Sequence, residues 1–476
     1  MELAGAPAEA PLSAGSEVIR FWNLEVPRKQ VATEILAGIT TFLVMAYIIF
    51  VNPSILGFVG VQGLEGRGLP FAAVMTSTCL VAALMTILMG LYSNKAFALA
   101  PGMGLNAVVA YQLVATLGLS WPAAMGAIFL EGAVITILVI TGVREAVFQA
   151  VPLALKRAIG VGIGWFILFI GLYQAGFVKP GPAGVPLTLG DLTGTPVFVA
   201  VVGLALTTFL FVRGVRAALL LGILAATAVA TLLNYASGLT AFTTPGVAVL
   251  PRSIISGPDL SLIGRFDPLG VFLKLGPVSA VLVILSLLLS DFFDTVGTLL
   301  GVGEQAGYVS KDGEFHRVDQ PLLIDSLAAA VGGIFSASSA TTYIESAAGI
   351  SVGGRTGLVG VVVGILFLLA LPFSPLVGMV PKEATAPALI IVGYLMMTTL
   401  GEGIDFSDVE VGLPALLTMA GMPLTYSITN GIGVGFVTYS FLRLARGKSV
   451  NWIMGLMTAA FLVYFLQAFL HARFGL

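Results

Sequence analysis

The chain has 476 residues, of which 58% are hydrophobic and only 10% are charged, and its formal net charge is −2. An ordinary soluble domain carries about 25% charged residues, so this composition excludes a typical globular protein and indicates a membrane protein. The near balance of charges gives no sign of a nucleic-acid-binding surface. One cysteine, Cys79, excludes a disulfide framework, and two distant histidines, His316 and His471, give no pattern of a metal site.

The N-terminal segment, residues 1–30, carries scattered acids and prolines. It has no basic region followed by an apolar core, so it does not have the pattern of a signal peptide. We interpret it as a cytoplasmic tail.

Apolar stretches then follow one another along almost the whole chain. A membrane-spanning helix needs roughly 20 apolar residues. Fourteen candidate stretches lie at roughly 33–56, 71–92, 98–117, 121–141, 158–176, 196–212, 216–236, 275–300, 318–334, 337–353, 355–373, 384–400, 408–423 and 425–444. The pattern predicts an all-α polytopic membrane protein with fourteen transmembrane segments. A further stretch, 450–471, either spans the membrane or lies at its interface.

The distribution of basic residues predicts the orientation. With the N-terminus placed in the cytoplasm, six of the 22 lysines and arginines fall in outer loops, Arg473 lies beyond the fourteenth segment, and the other fifteen fall in inner loops. Cytoplasmic loops of membrane proteins are enriched in Lys and Arg. We therefore expect a protein of the cell inner membrane whose N-terminus lies in the cytoplasm. The six outer residues are Arg67, Lys179, Arg252, Arg265, Lys274 and Lys382.

Fourteen segments divide into two sets of seven, and the third segment of each set is short and interrupted. The interruptions lie at 97–106, with Pro101, Gly102 and Gly104, and at 335–349, which is rich in Ser, Ala and Thr. Seven spans reverse the side at which a repeat begins, so the two halves are expected to be inverted. Paired broken segments in inverted repeats indicate a transporter's midplane binding site.

Four carboxylates lie within the apolar segments: Asp291, Asp294, Asp325 and Glu345. A charged residue at the centre of a membrane helix costs about 2.5–3.5 kcal/mol on insertion scales. Asp291 and Asp294 are three residues apart and share a helix face, so their negative charges repel each other. Such a pair suits proton coupling. The alternative is that Ser and Thr hydroxyls hold these acids for packing alone. Packing rarely accounts for two acids within one membrane segment.

Glu345 and Asn106 flank the two interruptions. A helix that begins at the midplane presents free N–H groups, and Glu345 adds an acceptor beside them. Asn106 follows Pro101 and offers both a donor and an acceptor, although a helix cap explains it equally well. Donors beside acceptors without a basic residue favour a neutral, planar, amide-bearing ligand over an inorganic anion.

Other polar and aromatic residues have less specific interpretations. Asp325 is either a proton relay or an orienting partner of the Asp291–Asp294 pair. Glu131, on the fourth segment, is best interpreted as a packing or conformational contact. Phe97 and Tyr343 flank the interruptions and either stack on a ligand ring or belong to the core.

With these residues in place, the sequence resembles the nucleobase–cation symporter superfamily, which includes the nucleobase–ascorbate transporters. Within it, the chain is most similar to the AzgA-like adenine/guanine/hypoxanthine permease branch. The resemblance covers about 31–446, and its motifs lie at 37–53, 100–107, 291–298, 341–349 and 353–357.

The resemblance implies a fold with a core domain (31–142 and 275–373) and a gate domain (143–240 and 374–446). An extracytoplasmic loop (241–274) lies between the halves, and a C-terminal apolar segment (447–476) follows. Short antiparallel strands in segments 3 and 10 are implied to cross beside the substrate.

The resemblance also implies roles for individual residues. Asp294 and Glu345 match base-binding carboxylates, whereas Asp291 and Asn106 match further functional positions of the purine branch. Phe97 and Tyr343 match ring-contacting positions, and Ser346 follows Glu345 in the same motif. Thr298 stands where uracil and xanthine carriers commonly have His, which favours purines.

The resulting expectation is a secondary active transporter that imports adenine, guanine or hypoxanthine by proton symport with an elevator-type movement. Its expected partners are a purine nucleobase, the proton and the lipid bilayer, with no cofactor, metal or nucleic acid. A uracil/xanthine or anion carrier of the same architecture and a facilitative, channel-like carrier are the alternatives. An enzyme is disfavoured because no nucleophile–base set is visible. The preferred purine, the coupling ion and stoichiometry, and a homodimeric state are left open.

Overall fold

A computed structural model describes residues 18–59, 61, 63–64, 66–142, 151–182, 185–242, 244, 246–309, 315, 317–400 and 404–474. Most of this chain is helical. The first seventeen residues of the predicted tail, together with Arg144 and Lys311 from the charge count, lie outside the described residues.

The first half begins with a short hairpin and continues through long apolar helices. A π-helix, Val108–Thr116, follows α4 directly. The elements are β1 Val18–Phe21, β2 Leu24–Pro27, α1 Val31–Met45, α2 Ile48–Leu56, α3 Phe71–Ser93, β3 Leu99–Pro101, α4 Met103–Ala107, α5 Trp121–Thr141, α6 Leu153–Gln174, β4 Val178–Pro180, β5 Leu187–Leu189, α7 Thr195–Val212 and α8 Ala218–Ala236.

The second half contains the longest helix of the described chain, α10. Its elements are α9 Gly270–Leu275, α10 Pro277–Ala306, α11 Asp319–Ile334, β6 Ala340–Thr342, α12 Ser346–Ser351, α13 Leu358–Ala370, α14 Ser374–Gly378, α15 Lys382–Leu400, α16 Val409–Thr425, α17 Ile428–Ala445 and α18 Trp452–Phe474.

Seven helical stretches of the described residues are long and apolar enough to cross a membrane, and four shorter apolar helices accompany them. Helices satisfy their own backbone hydrogen bonds, which a bilayer requires. The prediction of a helical membrane protein with several apolar spans is therefore confirmed. Helix length and composition do not fix the number of crossings, so the fourteen-segment inverted repeat stays a prediction.

Helix packing falls into two sets. In one set, α5 packs on α11, α3 packs on α13, and α1 packs on α12 and α13. In the other, α6 packs on α15 and α16, α7 packs on α8 and α15, and α16 packs on α17. The helix α10 belongs with α5 and also contacts α6 and α17, so it lies where the two sets meet.

Two distant segments form a short antiparallel ladder inside the first set. Strand β3 pairs with β6, so that Leu99 lies opposite Thr342 and Pro101 lies opposite Ala340. The backbone bonds continue beyond the ladder, since the N–H of Gly102 donates to the carbonyl of Ser339 at 2.8 Å. All three residues of each strand are buried, and the pairing supplies hydrogen-bond partners that water cannot supply there.

Glycines allow α3 and α13 to touch at their backbones. A Cβ atom built on Gly90 would lie 2.2 Å from the carbonyl oxygen of Gly357, closer than real Cβ atoms approach. This crossing fixes the end of α3, from which the chain enters β3.

We expect Gly90→Ala to lower the stability of the purified protein by about 1–3 kcal/mol, the usual cost of overpacking. The measurement is thermal unfolding in detergent. Gly455→Ala in α18 is the matched control, because a Cβ atom there meets no atom within 4 Å. Equal melting temperatures for the two variants would contradict the prediction.

Candidate functional site

A cavity lies where β6, the start of α4 and the middle of α10 meet α15 of the second helix set. Both sets therefore contribute to its wall. The lining residues are Tyr47, Gly102, Met103, Gly104, Asp294, Thr298, Thr341, Thr342, Tyr343, Ile344, Glu345, Val392 and Met396.

Glu345 lies in the turn between β6 and α12 and reaches the cavity as a partly exposed carboxylate. Its Oε1 accepts a hydrogen bond of 2.7 Å from the hydroxyl of Tyr47, which occupies the break between α1 and α2. This bond orients the carboxylate toward the cavity that Glu345 lines. The arrangement provides a fixed acceptor for an N–H group of a ligand.

Asp294 and Thr298 lie one turn apart on α10 and both line the cavity. Asp294 is partly exposed and interacts electrostatically with Glu345 and Asp325. Asp291 lies one turn earlier, is buried, and is not among the lining residues. The structure therefore separates the predicted pair, with one acid at the cavity and the other behind it.

The predicted ring-contacting residues lie in different places. Tyr343 lines the cavity, and its hydroxyl donates to the carbonyl of Pro101, which ties β6 to β3. Phe97 is fully buried outside the lining and packs edge-on against Tyr308, with ring centroids 5.7 Å apart. Ser346 also lies outside the lining, where its hydroxyl accepts the N–H of Ala98 at 3.0 Å. Substrate contact by Phe97 and Ser346 stays a prediction.

Asn106 is buried in α4 and does not line the cavity. Its side-chain amide approaches the carbonyl of Pro101 at 3.5 Å, and its Oδ1 has no hydrogen-bond partner among the described residues. A direct role for Asn106 in binding stays a prediction.

Asp325 of α11 holds the strand that forms the cavity wall. Its Oδ1 accepts hydrogen bonds of 2.7 Å from both the N–H and the hydroxyl of Thr342, and its Oδ2 accepts one of 2.6 Å from Thr295. Thr295 in turn shares a hydroxyl–hydroxyl bond of 2.8 Å with Thr341. Asp325 therefore joins α10, α11 and β6 and does not itself line the cavity.

Sequence reasoning missed several residues of the wall. Tyr47 was visible only as a hydroxyl within an otherwise apolar segment, and nothing local connects it with Glu345. Val392 and Met396 are apolar residues of α15 that no pattern distinguishes from ordinary packing residues.

Solved structures with the same fold are membrane transporters. The transmembrane domain of the cyanobacterial bicarbonate transporter BicA matches with a TM-score of 0.61 and 14% identity, covering 85% of this chain and 98% of that domain. The murine anion transporter Slc26a9 matches with a TM-score of 0.60 and 11% identity, covering 89% of this chain and 69% of that protein. At such low identity these matches establish the fold alone, which is a helical fold like that of membrane transporters.

The chain belongs to the permease family whose model, named for xanthine and uracil permeases, matches residues 32–429. The adenine permease AdeP of Escherichia coli is 41% identical over 429 residues, covering 90% of this chain and 91% of AdeP. The guanine/hypoxanthine permease PbuG of Bacillus subtilis is 41% identical over 437 residues, covering 91% of this chain and 96% of PbuG. The resemblance to purine permeases is thereby confirmed.

Proposed function

We propose that this chain transports purine nucleobases across the membrane, with the base bound between Asp294 and Glu345. The observation that carries the proposal is the cavity wall, whose described residues include two carboxylates and two tyrosines but no lysine or arginine. Carboxylates accept hydrogen bonds from N–H groups, and a purine presents such groups at its edge. The names of AdeP and PbuG, which specify purines, support the same substrate class.

Within this site, Glu345 binds an N–H edge of the base, and the hydroxyl of Tyr47 holds the carboxylate in place. Asp294 contacts the base from α10, while Thr298, one turn further, lines the same wall. The ring of Tyr343 offers an aromatic face to the base.

Transport couples to a proton through Asp294 of α10 at the substrate, with Asp291 of α10 and Asp325 of α11 behind it. In the described part of the chain, no basic side chain lines the cavity to balance Asp294 and Glu345, so binding of a proton together with the neutral base reduces the buried charge.

An elevator-type movement carries the site across the membrane as a core domain (31–142 and 275–373) moves against a gate domain (143–240 and 374–446). The division of helix packing into two sets supports this motion. In this proposal the protein crosses the membrane with fourteen segments arranged as two inverted repeats, and its N-terminus is cytoplasmic.

Buried hydrogen bonds between the two helix sets are the contacts that such a movement has to break and remake. Gln112 of the π-helix donates to Thr429 of α17 at 2.7 Å, and Thr429 also shares a 2.6 Å bond with Ser286 of α10. Gln174 of α6 donates to the hydroxyl of Tyr111 at 2.9 Å. Irregular π-type turns often mark functional positions, and this one carries Tyr111 and Gln112.

Uptake of labelled hypoxanthine, adenine and guanine into proteoliposomes tests this function. We expect saturable accumulation of a purine that a protonophore abolishes and that uracil, xanthine and sulfate do not inhibit. Inhibition by uracil or sulfate would indicate a different substrate class. Equilibration without accumulation would indicate facilitated diffusion.

A further inference from the structure

We propose that Glu131 and Asp291 together bind one proton in a buried site between α5 and α10, behind the wall of the substrate cavity. The carboxyl group of one residue donates its O–H to the carboxylate of the other, so that the pair carries a single negative charge. The existence of this site does not depend on the proposed function. Its role in coupled transport does rest on that function.

Burial and missing hydrogen bonds are the first observations behind the site. Glu131 is 0% exposed and Asp291 is 1% exposed. Both carboxylate oxygens of Glu131 and Oδ1 of Asp291 lack a hydrogen-bond partner of standard geometry among the described residues, and the hydroxyl of Ser339 lies close to Glu131. Ionised carboxylates accept hydrogen bonds but donate none. The hydroxyl of Ser339 can donate only one hydrogen bond, so a shared proton supplies a donor that the two carboxylates still lack.

Among the described residues, the charged groups that interact with Glu131 and Asp291 are themselves acids, as in no ordinary ion pair. Glu131 interacts electrostatically with Asp291 and Asp325, and Asp291 also interacts with Asp294, beyond which lies Glu345. All of these groups are acids. Within the described part of the chain, no set of three or more acidic, histidine or cysteine side chains is placed to hold a metal ion. A buried charge without a cation is strongly unfavourable, so a proton provides the compensation.

The backbones of α5 and α11 pack closely around Glu131. A Cβ atom on Gly132, the residue after Glu131, would lie 2.2 Å from the backbone nitrogen of Ala330 in α11. A Cβ atom on Gly333 would lie 2.6 Å from the nitrogen of Phe129. The backbones of α5 and α11 therefore meet on both sides of Glu131, which leaves little room for water to solvate its carboxylate.

A line of hydroxyl groups connects the neighbourhood of the pair with the cavity. Thr295 donates to Asp325, and Thr341, which lines the cavity, shares a hydrogen bond with Thr295. Asp325 interacts electrostatically with both Glu131 and Asp291. We therefore place the exchange of the bound proton along Thr341, Thr295 and Asp325. As Thr341 gains a proton from the cavity it passes its own to Thr295, and Thr295 passes its own to Asp325, so each hydroxyl loses one O–H bond as it gains another. Asp325 then transfers the proton to the pair.

Infrared spectroscopy of the purified protein tests the site without requiring transport. We expect a carbonyl band of a protonated carboxyl group at neutral pH in the wild-type protein. Glu131→Gln and Asp291→Asn should each remove intensity from this band, because each places an amide where one acid of the pair stood. Glu383→Gln is the control, since Glu383 is a buried glutamate beside Lys382 at the start of α15.

Several outcomes would overturn the site. The site is overturned if the wild-type protein shows no such band, or if both variants show the band at wild-type intensity. It is also overturned if Glu383→Gln loses as much of the band as the two variants do. Absence of the band from wild-type protein overturns the site even if a variant fails to fold. If the band is lost as expected while wild-type uptake ignores a proton gradient, the site stands and the proposed coupling fails. If uptake is proton-driven and the band does not change, the coupling stands and the proposed site fails.

Discussion

Glu345→Gln is expected to lower purine affinity by roughly ten- to a hundredfold while the protein still inserts and folds. The amide keeps the shape of the side chain but can turn a donor toward the N–H edge of the base. A buried polar group left without a suitable partner costs about 1–3 kcal/mol. Calorimetric titration of the purified protein with adenine, guanine and hypoxanthine measures the effect.

Two further variants make this result specific. Tyr47→Phe removes the single hydroxyl that orients Glu345, so it should weaken binding by less than Glu345→Gln. Glu383→Gln changes a buried glutamate outside the site in the same way, and it should leave affinity near that of wild type. Unchanged affinity in Glu345→Gln would remove Glu345 from the site.

The long helices could be predicted well from the sequence because their ends carry local signals. The predicted segment 121–141 coincides with α5, Trp121–Thr141. Ser120 accepts a hydrogen bond from the N–H of Ala123 at its beginning, and Gly142 adopts a left-handed conformation at its end. Ser before a helix and Gly after it are the usual termini. Similarly, the predicted 71–92 corresponds to α3, Phe71–Ser93.

The environment of each acid could not be predicted in the same way, because it depends on contacts between distant segments. Spacing along one helix placed Asp291 and Asp294 on a common face, but the neighbours of α10 decide what each acid meets. Asp294 faces a cavity, whereas Asp291 meets Glu131 from another helix. The partner of Glu345, Tyr47, lies 298 residues away in sequence. No local periodicity encodes such a contact.

Asp294→Asn is expected to eliminate proton-driven accumulation of purine. Asp294 is the acid of α10 that lines the cavity, and it interacts electrostatically with both Glu345 and Asp325. It is therefore placed to respond to the base and to the buried acids together. The amide of Asn cannot take up and release a proton near neutral pH, so the step that links binding of the base to binding of the proton is lost. The measurement is purine uptake into proteoliposomes under an imposed pH gradient.

Asp291→Asn is the informative comparison for this prediction. Asp291 is buried behind the wall and does not line the cavity, so its replacement should shift the pH dependence of uptake with a smaller loss of binding. Interacting acids titrate as a unit, so the contrast between the two variants carries more information than either alone. If Asp294→Asn protein still concentrates purine in response to the gradient, the coupling lies elsewhere. Asp325, which is hydrogen-bonded to Thr295 and β6, then becomes the residue to replace.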